Sequence, residues 1–580
     1  MILQALTEFY DRKSTEPNSD VAPVGWEYKE IPFIIVLDQE GQFLRIEDTR
    51  EGDGRKLRAK SYLVPQGVKR SSGIAANLLW DTPVYVLGLD TGGNAKRAKQ
   101  QKKAFLERLQ TELGEIESIH PIIKFLENIP LYLLEKSPNW DSLSGTNVYL
   151  TFRFEGDNVS VCRKPEVIKA IEQRIYYSSE EPSSLCLVTG EQTEIKNLHT
   201  VIKGVYGAQT SGANIVSFNQ DSFRSYGKHQ GMNAPIGIKA EFAYTTGLNY
   251  LLRKGSKQRL MVGDTSTVFW SGEVSAFETD FAALFEEPPK DDPSAGTERV
   301  KALFNTIHTG AYKEDKGDIP FYILGLSPNA SRISIRFWHT GTIAKFSKNI
   351  TNYFEDFHIV KPDYEREFYS LWRILVNLSI QDKSENIPPK LAGDFMRSIL
   401  TGGPYPATLL TAVLRRIKSD MKRVTPVRAA TIKAYLNRFL RFYPQEGAKE
   451  VMFELDKNQP SKGYHLGRLF ATLEKIQEDA NPGLNSTIRD RYYGAACASP
   501  VTVFPNLLKL KNHHLAKLDR PGLVVFYEKL LGEIFENFSD FSAHLDLHEQ
   551  GRFAVGYYHQ RQDFFKKKEV QNDSLEMEED

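Results

Sequence analysis

A change of hydrophobic period near residue 365 constrains this 580-residue chain more than any other feature. Before it, short apolar runs are bounded by turn residues, as in PFIIVLD (Pro32 to Asp38), QFLRIED (Gln42 to Asp48) and NVYLTFRFEG (Asn147 to Gly156). Such runs read as strands, and the turn carrying Gly41 joins the first two into a β-hairpin. Beyond residue 365 apolar positions recur at helical spacing almost to the end. A chain whose period changes once in this way is α+β, with the two classes segregated. The expectation is an N-terminal mixed α/β region with antiparallel sheets, then a C-terminal all-α helical bundle. The chain is too long for one core. The predicted divisions are an α+β part over 1–365, a basic helical region over 366–455, a bundle over 456–568 and an acidic tail over 569–580.

Within that frame, Ile2, Leu3, Leu6, Phe9 and Tyr10 fall at helical spacing and predict a short N-terminal helix. Residues 93–113 form an amphipathic helix, with Ala104, Phe105 and Leu109 on one face and lysines on the other. A basic face of this kind is ordinarily just solvated; its specific use would be phosphate steering. Further helices are expected over Pro165 to Tyr177, Phe242 to Lys254, and from Glu278 into an acidic, proline-rich loop ending near Pro293. A strand is expected over Val262 to Trp270. Strand, turn and strand follow over 320–338, with the turn at Ser327-Pro328-Asn329. Arg332 and Arg336 share a face with Ser334, to clamp phosphate or to cover a sheet. Leu409 to Val424 and Ala429 to Tyr443 read as basic amphipathic helices split by Thr425-Pro426.

Between two apolar segments of the first part lies SFNQDSFRSYGKHQGMNAP (Ser217 to Pro235), preceded by KGVYGAQTSGANIV (Lys203 to Val216). This stretch carries more hydrogen-bonding capacity than a core strand can satisfy, so it either holds something polar or is an irregular loop tied down by its own side chains. Gly207 and Gly212 stand at the spacing of a phosphate loop. Ala213 and Asn214 replace the Lys and Ser/Thr that such a loop needs, which argues against an NTPase.

Lys and Arg number 74 and Asp and Glu 74, so the formal net charge is zero and the chain does not coat nucleic acid by bulk attraction. Charge is segregated locally, basic at Lys96 to Arg108 and from Arg415 to Arg441, acidic at Glu278 to Asp292 and Glu576 to Asp580. Cys162, Cys186 and Cys497 are too scattered for a disulfide framework or a CxxC knuckle. There is no run of about 18 apolar residues and no leader pattern, so no membrane association and a cytoplasmic location are expected. His513 and His514 are adjacent, and His544 and His548 lie one turn apart without a third ligand beyond Asp546. These patterns carry no metal, and no cofactor is expected. HExxH, GxSxG and kinase signatures are absent, and a non-catalytic protein is expected. The competing class is a metal-dependent nuclease or RNA-processing enzyme built on Asp221, Asp264 and Glu241; a third is a scaffold that binds protein alone.

Several motifs in fixed order carry a resemblance. CLVTG (Cys186 to Gly190), HTVIKGVYGAQTSGANIVSFN (His199 to Asn219), SYGKHQGMNAP (Ser225 to Pro235), YTTGLNYLL (Tyr244 to Leu252) and FYILGLSPNASRISIRFW (Phe321 to Trp338) resemble the large subunit of the type I-C CRISPR Cascade complex. MILQALTEFYDR (Met1 to Arg12) and LWDTPVYVLG (Leu79 to Gly88) extend the likeness to essentially the whole chain. Gly247 stands where that pattern has Ala. The resemblance implies a subunit that docks at the crRNA 5′ end beside backbone and handle-binding subunits. It would bind motif-bearing double-stranded DNA, help open it, hold the displaced strand and present a surface to a helicase-nuclease.

The same resemblance assigns sensing of the protospacer-adjacent motif to a loop of the N-terminal domain. Lys69, Arg70, Ser71, Ser72 and Asn77 are the candidates there. It assigns Asn219, Tyr226, Lys228, Gln230 and Asn233 to the crRNA handle or the duplex, and Arg415, Arg416, Lys422 and Arg423 to the displaced strand. The C-terminal bundle resembles the small subunit of these complexes, which type I-C systems make by internal translation; Met452 is the candidate start, with a non-Met codon nearer Leu466 as the alternative.

Overall fold

A computed structural model describes residues 2–17, 19–52, 57–68, 70, 73–90, 93–144, 146–177, 183–286, 298–303, 318–420 and 424–565, the side chains of 174–177 excepted. The chain divides into two compact units, residues 1–254 with 328–333, and residues 255–327 with 334–580. Neither predicted boundary, 365 or 455, coincides with that division.

In the first unit, helix α1 (Ile2–Thr15) buries Ala5, Leu6, Phe9 and Tyr10, the face that the spacing predicts. Strands β1 (Trp26–Glu30), β2 (Phe33–Leu37), β3 (Phe43–Asp48), β4 (Ser61–Pro65), β5 (Trp80–Asp81) and β6 (Leu150–Phe154) follow. β1 pairs antiparallel with β4, while a four-stranded sheet runs β3-β2-β6-β5. The predicted hairpin is β2 with β3, in antiparallel register. Its turn needs Gly41, at φ +85°, where a Cβ would lie 2.2 Å from the Pro121 carbonyl oxygen. β2 also pairs in parallel with β6. A parallel pair requires a crossover, and the long connection between them includes helix α2 (Ala95–Leu113). All five residues of β2 are buried, which is why FIIVL is a continuous apolar run without alternation.

Helix α3 (Ile238–Leu252) closes this unit and packs against α1. A Cβ on Gly247 would stand 3.1 Å from the Leu6 carbonyl oxygen and 3.3 Å from the Phe9 ring, so the glycine lets α1 lie close. Phe9, Tyr10 and Phe242 contribute aromatic contacts there.

The second unit opens on β7 (Arg259–Val262), β8 (Thr265–Ser271), β9 (Pro320–Asn329) and β10 (Arg332–Thr342), in spatial order β7-β8-β9-β10. Two predictions are corrected here. The single strand over Val262 to Trp270 is two antiparallel strands, because the chain reverses at Gly263 (φ +63°). The next reversal falls at Ala330 (φ +52°), beyond Ser327-Pro328-Asn329. Ser327 is buried inside β9 and its hydroxyl accepts from Arg336 Nε on β10 at 2.5 Å, so the turn-like tripeptide is held in the strand.

One hydrophobic core runs from Phe269 and Phe321 on this sheet through the helices to Tyr557. Helix α4 (Ala407–Ser419) and helix α5 (Pro426–Phe442) are separated where Thr425-Pro426 predicts; Thr425 caps α5 by accepting from the Arg428 amide at 3.4 Å. The basic residues of α5 do not form a solvated face along most of the helix. Every residue from Val427 to Arg438 is buried, and its cations are internally paired: Arg428 with Asp420 at 2.6 Å, and Arg438 with Asp356 at 2.7 Å. Asp356, itself buried, also meets Arg441 at 2.6 Å and the Tyr405 hydroxyl at 2.9 Å. Amphipathic spacing identifies a helix but does not reveal that a carboxylate elsewhere neutralises its charges.

Helix α6 (Lys462–Ala480) and helix α7 (Leu547–Asp563) pack in close contact. A Cβ on Gly467 would sit 2.0 Å from the Phe553 carbonyl oxygen, and one on Gly556 2.1 Å from that of Tyr464. Only glycine permits that approach. Around it, fully buried Arg468 donates to Gln560 Oε1 at 3.1 Å and pairs with Glu533 at 2.6 Å, and the Tyr557 hydroxyl donates to Glu474 at 2.6 Å.

Candidate nucleic-acid interface

The loop between β4 and β5 is braced from inside. Buried Asp81 is its anchor: one carboxylate oxygen accepts from the Asn77 amide at 2.8 Å and from Arg70 Nη2, and the other from the Thr82 amide at 2.8 Å. Asn77 in turn accepts the Val68 amide at 3.0 Å, and Glu27 on β1 accepts that of Gly67 at 3.0 Å. Arg70 Nε donates to the Ala75 carbonyl at 2.6 Å, and its guanidinium lies 4.0 Å above the Tyr85 ring. Arg108, from α2, donates to the Ala76 carbonyl and pairs with Glu112 at 2.8 Å.

Of the five residues that the sequence nominates here, Arg70 and Asn77 therefore hold the loop's shape. Lys69, Ser71 and Ser72 lie outside the described residues. Sequence reasoning missed Asp81 and Arg108, which fix the loop to the sheet and to α2. The available signal was an Asp closing the apolar run LLWD, where a strand would continue apolar.

α2 adds a basic stripe to this braced loop. Ala98, Phe105, Leu109 and Leu113 are buried, leaving exposed Lys96, Lys99 and Lys103 on the opposite side with exposed Arg97 at its margin. Ala104, predicted for the apolar face, is half-buried beside it. The first turn has no acidic residue, although a helix N-terminus favours negative charge. The Lys103 and Glu107 pair, 3.4 Å apart and solvent-exposed, offsets little of this.

The central stretch is an irregular loop clamped by its neighbours. Its approach, His199 to Asn214, is held by three side chains of α3. Glu241 accepts the Thr200 amide at 2.5 Å, the Tyr244 hydroxyl meets His199 Nδ1 at 2.6 Å, and Asn249 bonds Lys203 N at 2.8 Å and Val201 O at 3.1 Å. Burial, and second the Glu241 carboxylate, push the Tyr244 hydroxyl far above its ordinary range. Gly207 and Gly212, the pair at phosphate-loop spacing, both sit at positive φ, and a bridge joins Ile202 to Ala213. The glycines thus serve turns.

From Asn219 onward the chain is exposed. Arg332 at the β9 to β10 reversal donates to Asn219 Oδ1 at 2.6 Å and lies 4.2 Å over the Phe223 ring. At the other end Asn233 accepts the Ser225 amide at 3.0 Å and donates to the Lys228 and Gln230 carbonyls at 3.2 and 3.0 Å. Gly231 approaches the Lys196 carbonyl so closely that a Cβ would lie 2.5 Å away. Asn233 thus braces the loop and Asn219 anchors it through Oδ1, and the side chains of Tyr226, Lys228 and Gln230 face solvent.

Among the displaced-strand candidates, Arg415 is exposed on α4. Arg416 is paired with Asp382 at 3.3 Å and Asp420 at 3.4 Å; Lys422 and Arg423 lie outside the described residues.

Each residue of the enzyme reading has a partner close by in its own unit. Asp221 pairs with Arg224 at 2.9 Å, Glu241 holds the Thr200 amide, and Asp264 accepts from Thr265 at 3.3 Å. Among the described residues no three His, Cys, Asp or Glu side chains are grouped to hold a metal ion. His548 packs against the Phe439 ring at 4.4 Å, and His544 Nδ1 lies 3.2 Å from the Ser499 hydroxyl. All three cysteines are buried. Burial pushes Cys162 up to about 11 and Cys497 to about 12. For Cys186 burial raises the value too, but amides of Gly237, Thr189 and Val188 and the Thr189 hydroxyl outweigh it and bring the thiol below its usual range. Among the described residues no helix is long and apolar enough to cross a membrane.

A family model described as CRISPR-associated protein (Cas_Csd1) matches residues 6–565. No curated protein matches the chain. The match spans both compact units and every loop described above, and the chain accordingly belongs to the CRISPR-associated Csd1 family, the large subunit of type I-C CRISPR systems.

Proposed function

We propose that this chain is a non-catalytic, DNA-sensing subunit of a type I-C Cascade complex. It reads the protospacer-adjacent motif in double-stranded DNA, promotes R-loop formation, holds the displaced strand and recruits the helicase-nuclease. The guide RNA pairs with the target, and the protein supplies motif and shape recognition. The observation that carries this reading is the loop between β4 and β5, whose base is fixed by Asp81, Asn77, Glu27 and Arg108, and whose sequence includes the cations and hydroxyls of KRSSG (Lys69 to Gly73). A fixed loop beside a basic helix stripe suits a reader that must present side chains to a groove and hold phosphates alongside. Arg70 and Asn77 act in it as positioning residues, leaving Lys69, Ser71 and Ser72 for contact.

Displaced-strand contact rests on Arg415 with Lys422 and Arg423, since Arg428, Arg438 and Arg441 of α5 are paired with Asp420, Asp356 and, for Arg441, also Glu450. The small subunit made from the same gene would begin at Met452, which is half-exposed just after the Asn437 to Val451 hydrogen bonds. A start near Leu466 would remove Gly463 and the Ser461 cap from the first turn of α6.

The test is a gel shift of the complex assembled on crRNA, with and without this chain, on duplexes with and without candidate motifs at two salt concentrations. Motif-dependent, salt-sensitive binding that needs the chain is expected. Equal binding without it reduces the chain to a scaffold, and divalent-dependent cleavage by the chain alone makes it an enzyme.

A further inference from the structure

Tyr226 occupies a backbone position that suits a different residue. Ser225, Tyr226, Gly227 and Lys228 form a tight turn closed by the Lys228 amide donating to the Ser225 carbonyl at 3.0 Å. Both central residues have positive φ, +51° at Tyr226 and +70° at Gly227. That pair of conformations belongs to the primed type I turn, whose preferred sequence is Asn-Gly or Asp-Gly because a short polar side chain tolerates the left-handed region. A tyrosine there is strained, and folding gains nothing in return, since Tyr226 is 98% exposed. Strain held in place by surrounding structure is a signature of function, and here the surroundings hold it. Asn233 makes two hydrogen bonds to the turn and a third to the Gln230 carbonyl just beyond it, and Arg332 pins the approach through Asn219 and Phe223.

The neighbours identify the ligand. Lys228 and His229 follow in the exposed run, and Arg224 precedes it in an exposed ion pair with Asp221 that contributes little. Tyr226 is the only large apolar side chain exposed between residues 219 and 230. One aromatic face on a preformed turn among cations matches single-stranded nucleic acid, in which an unpaired base stacks on the ring and the flanking phosphates meet the charges.

We propose that Tyr226 is a stacking platform for an unpaired nucleobase, with Lys228 and Arg224 receiving the adjoining phosphates. The proposal rests on the reading of the chain as a nucleic-acid-binding subunit. Such a base has two sources, the unpaired 5′ segment of the guide RNA and a strand of opened target DNA.

The experiment measures binding of the full-length chain, alone and assembled on crRNA, to labelled single-stranded RNA of the guide's 5′ segment, single-stranded DNA and duplex DNA of equal length. Tyr226→Asn fits the turn better than the native residue, so its melting curve should match or exceed the wild type's. Its affinity for one or both single strands should fall by about 5-fold to 150-fold, the range for losing one stacked base. Tyr226→Phe keeps the ring and should bind as the wild type does, and the duplex should be unaffected by either change. Loss confined to RNA names the guide as the source, and loss confined to DNA names the opened target. Unchanged single-strand binding by Tyr226→Asn overturns the stacking proposal alone. Absence of nucleic-acid binding by the wild type in both states overturns the reading beneath it.

Discussion

Replacing Asp81 by Ala should release the loop between β4 and β5 while leaving the sheet folded. The carboxylate satisfies two backbone amides and one guanidinium, and it is completely buried. An unsatisfied buried donor costs about 1 to 3 kcal/mol. Arg70 is partly exposed, with 28% of its side chain accessible, and can turn to water, so the guanidinium adds little. The two amides at Asn77 and Thr82 therefore set the scale, about 2 to 4 kcal/mol once partial hydration is allowed. At about 1.4 kcal/mol per tenfold, local opening becomes roughly 30-fold to 700-fold more frequent. Amide hydrogen exchange reads this directly, because opening free energy governs protection. Exchange over 66–81 should accelerate by that factor while β2 and β6 keep their protection, and the assembled complex should lose discrimination between duplexes with and without the motif. Unaltered exchange over 66–81 would refute the idea that Asp81 holds the loop. Accelerated exchange with full discrimination would remove this loop from motif reading.

Three further outcomes follow from the same geometry. Changing Lys96, Lys99 and Lys103 to Gln should flatten the salt dependence of duplex binding by about 0.9 in the log-log slope for each phosphate contact removed, equally with and without the motif; an unchanged slope would dismiss α2 from the DNA path. Gly467→Ala would place a methyl against the Phe553 carbonyl, and the shift of α6 from α7 should cost at least the 1 to 3 kcal/mol or so of ordinary overpacking, read as loss of soluble chain or early melting of the bundle. The bundle should also weaken on acidification. Burial, with Arg468 adding to it, holds His465 below the ordinary histidine value despite its bond to the Gln459 carbonyl, and His548 and His514 are lowered mainly by burial. The unfolded state then binds more protons, so stability falls as pH drops through about 6.5, and His465→Gln should reduce that slope.

Local signals proved legible where the physics is local. Thr425-Pro426 marks the cap and first turn of α5, and Gly41 marks the first hairpin, because capping and positive φ are properties of a few adjacent residues. The reversal at Gly263-Asp264 falls inside the span expected as one strand, and its turn signal is local to those two residues. Ser327-Pro328-Asn329 misled because a distant partner, Arg336, holds Ser327 in a strand.

The sequence by itself determined the α+β class, the order of elements and, through motifs spread along the chain, the family. Tertiary structure alone decided which polar residues are available. Arg428 and Arg438 look like Arg415 in the sequence, yet the first two meet Asp420 and Asp356 in the interior and the third meets water. Asn233 and Arg70, nominated as contacts, brace their loops, and Asp81, never nominated, anchors one of them. The reason is that periodicity reports which face of an element is apolar, whereas the fate of a charge depends on a partner tens of residues away, brought near only by the fold.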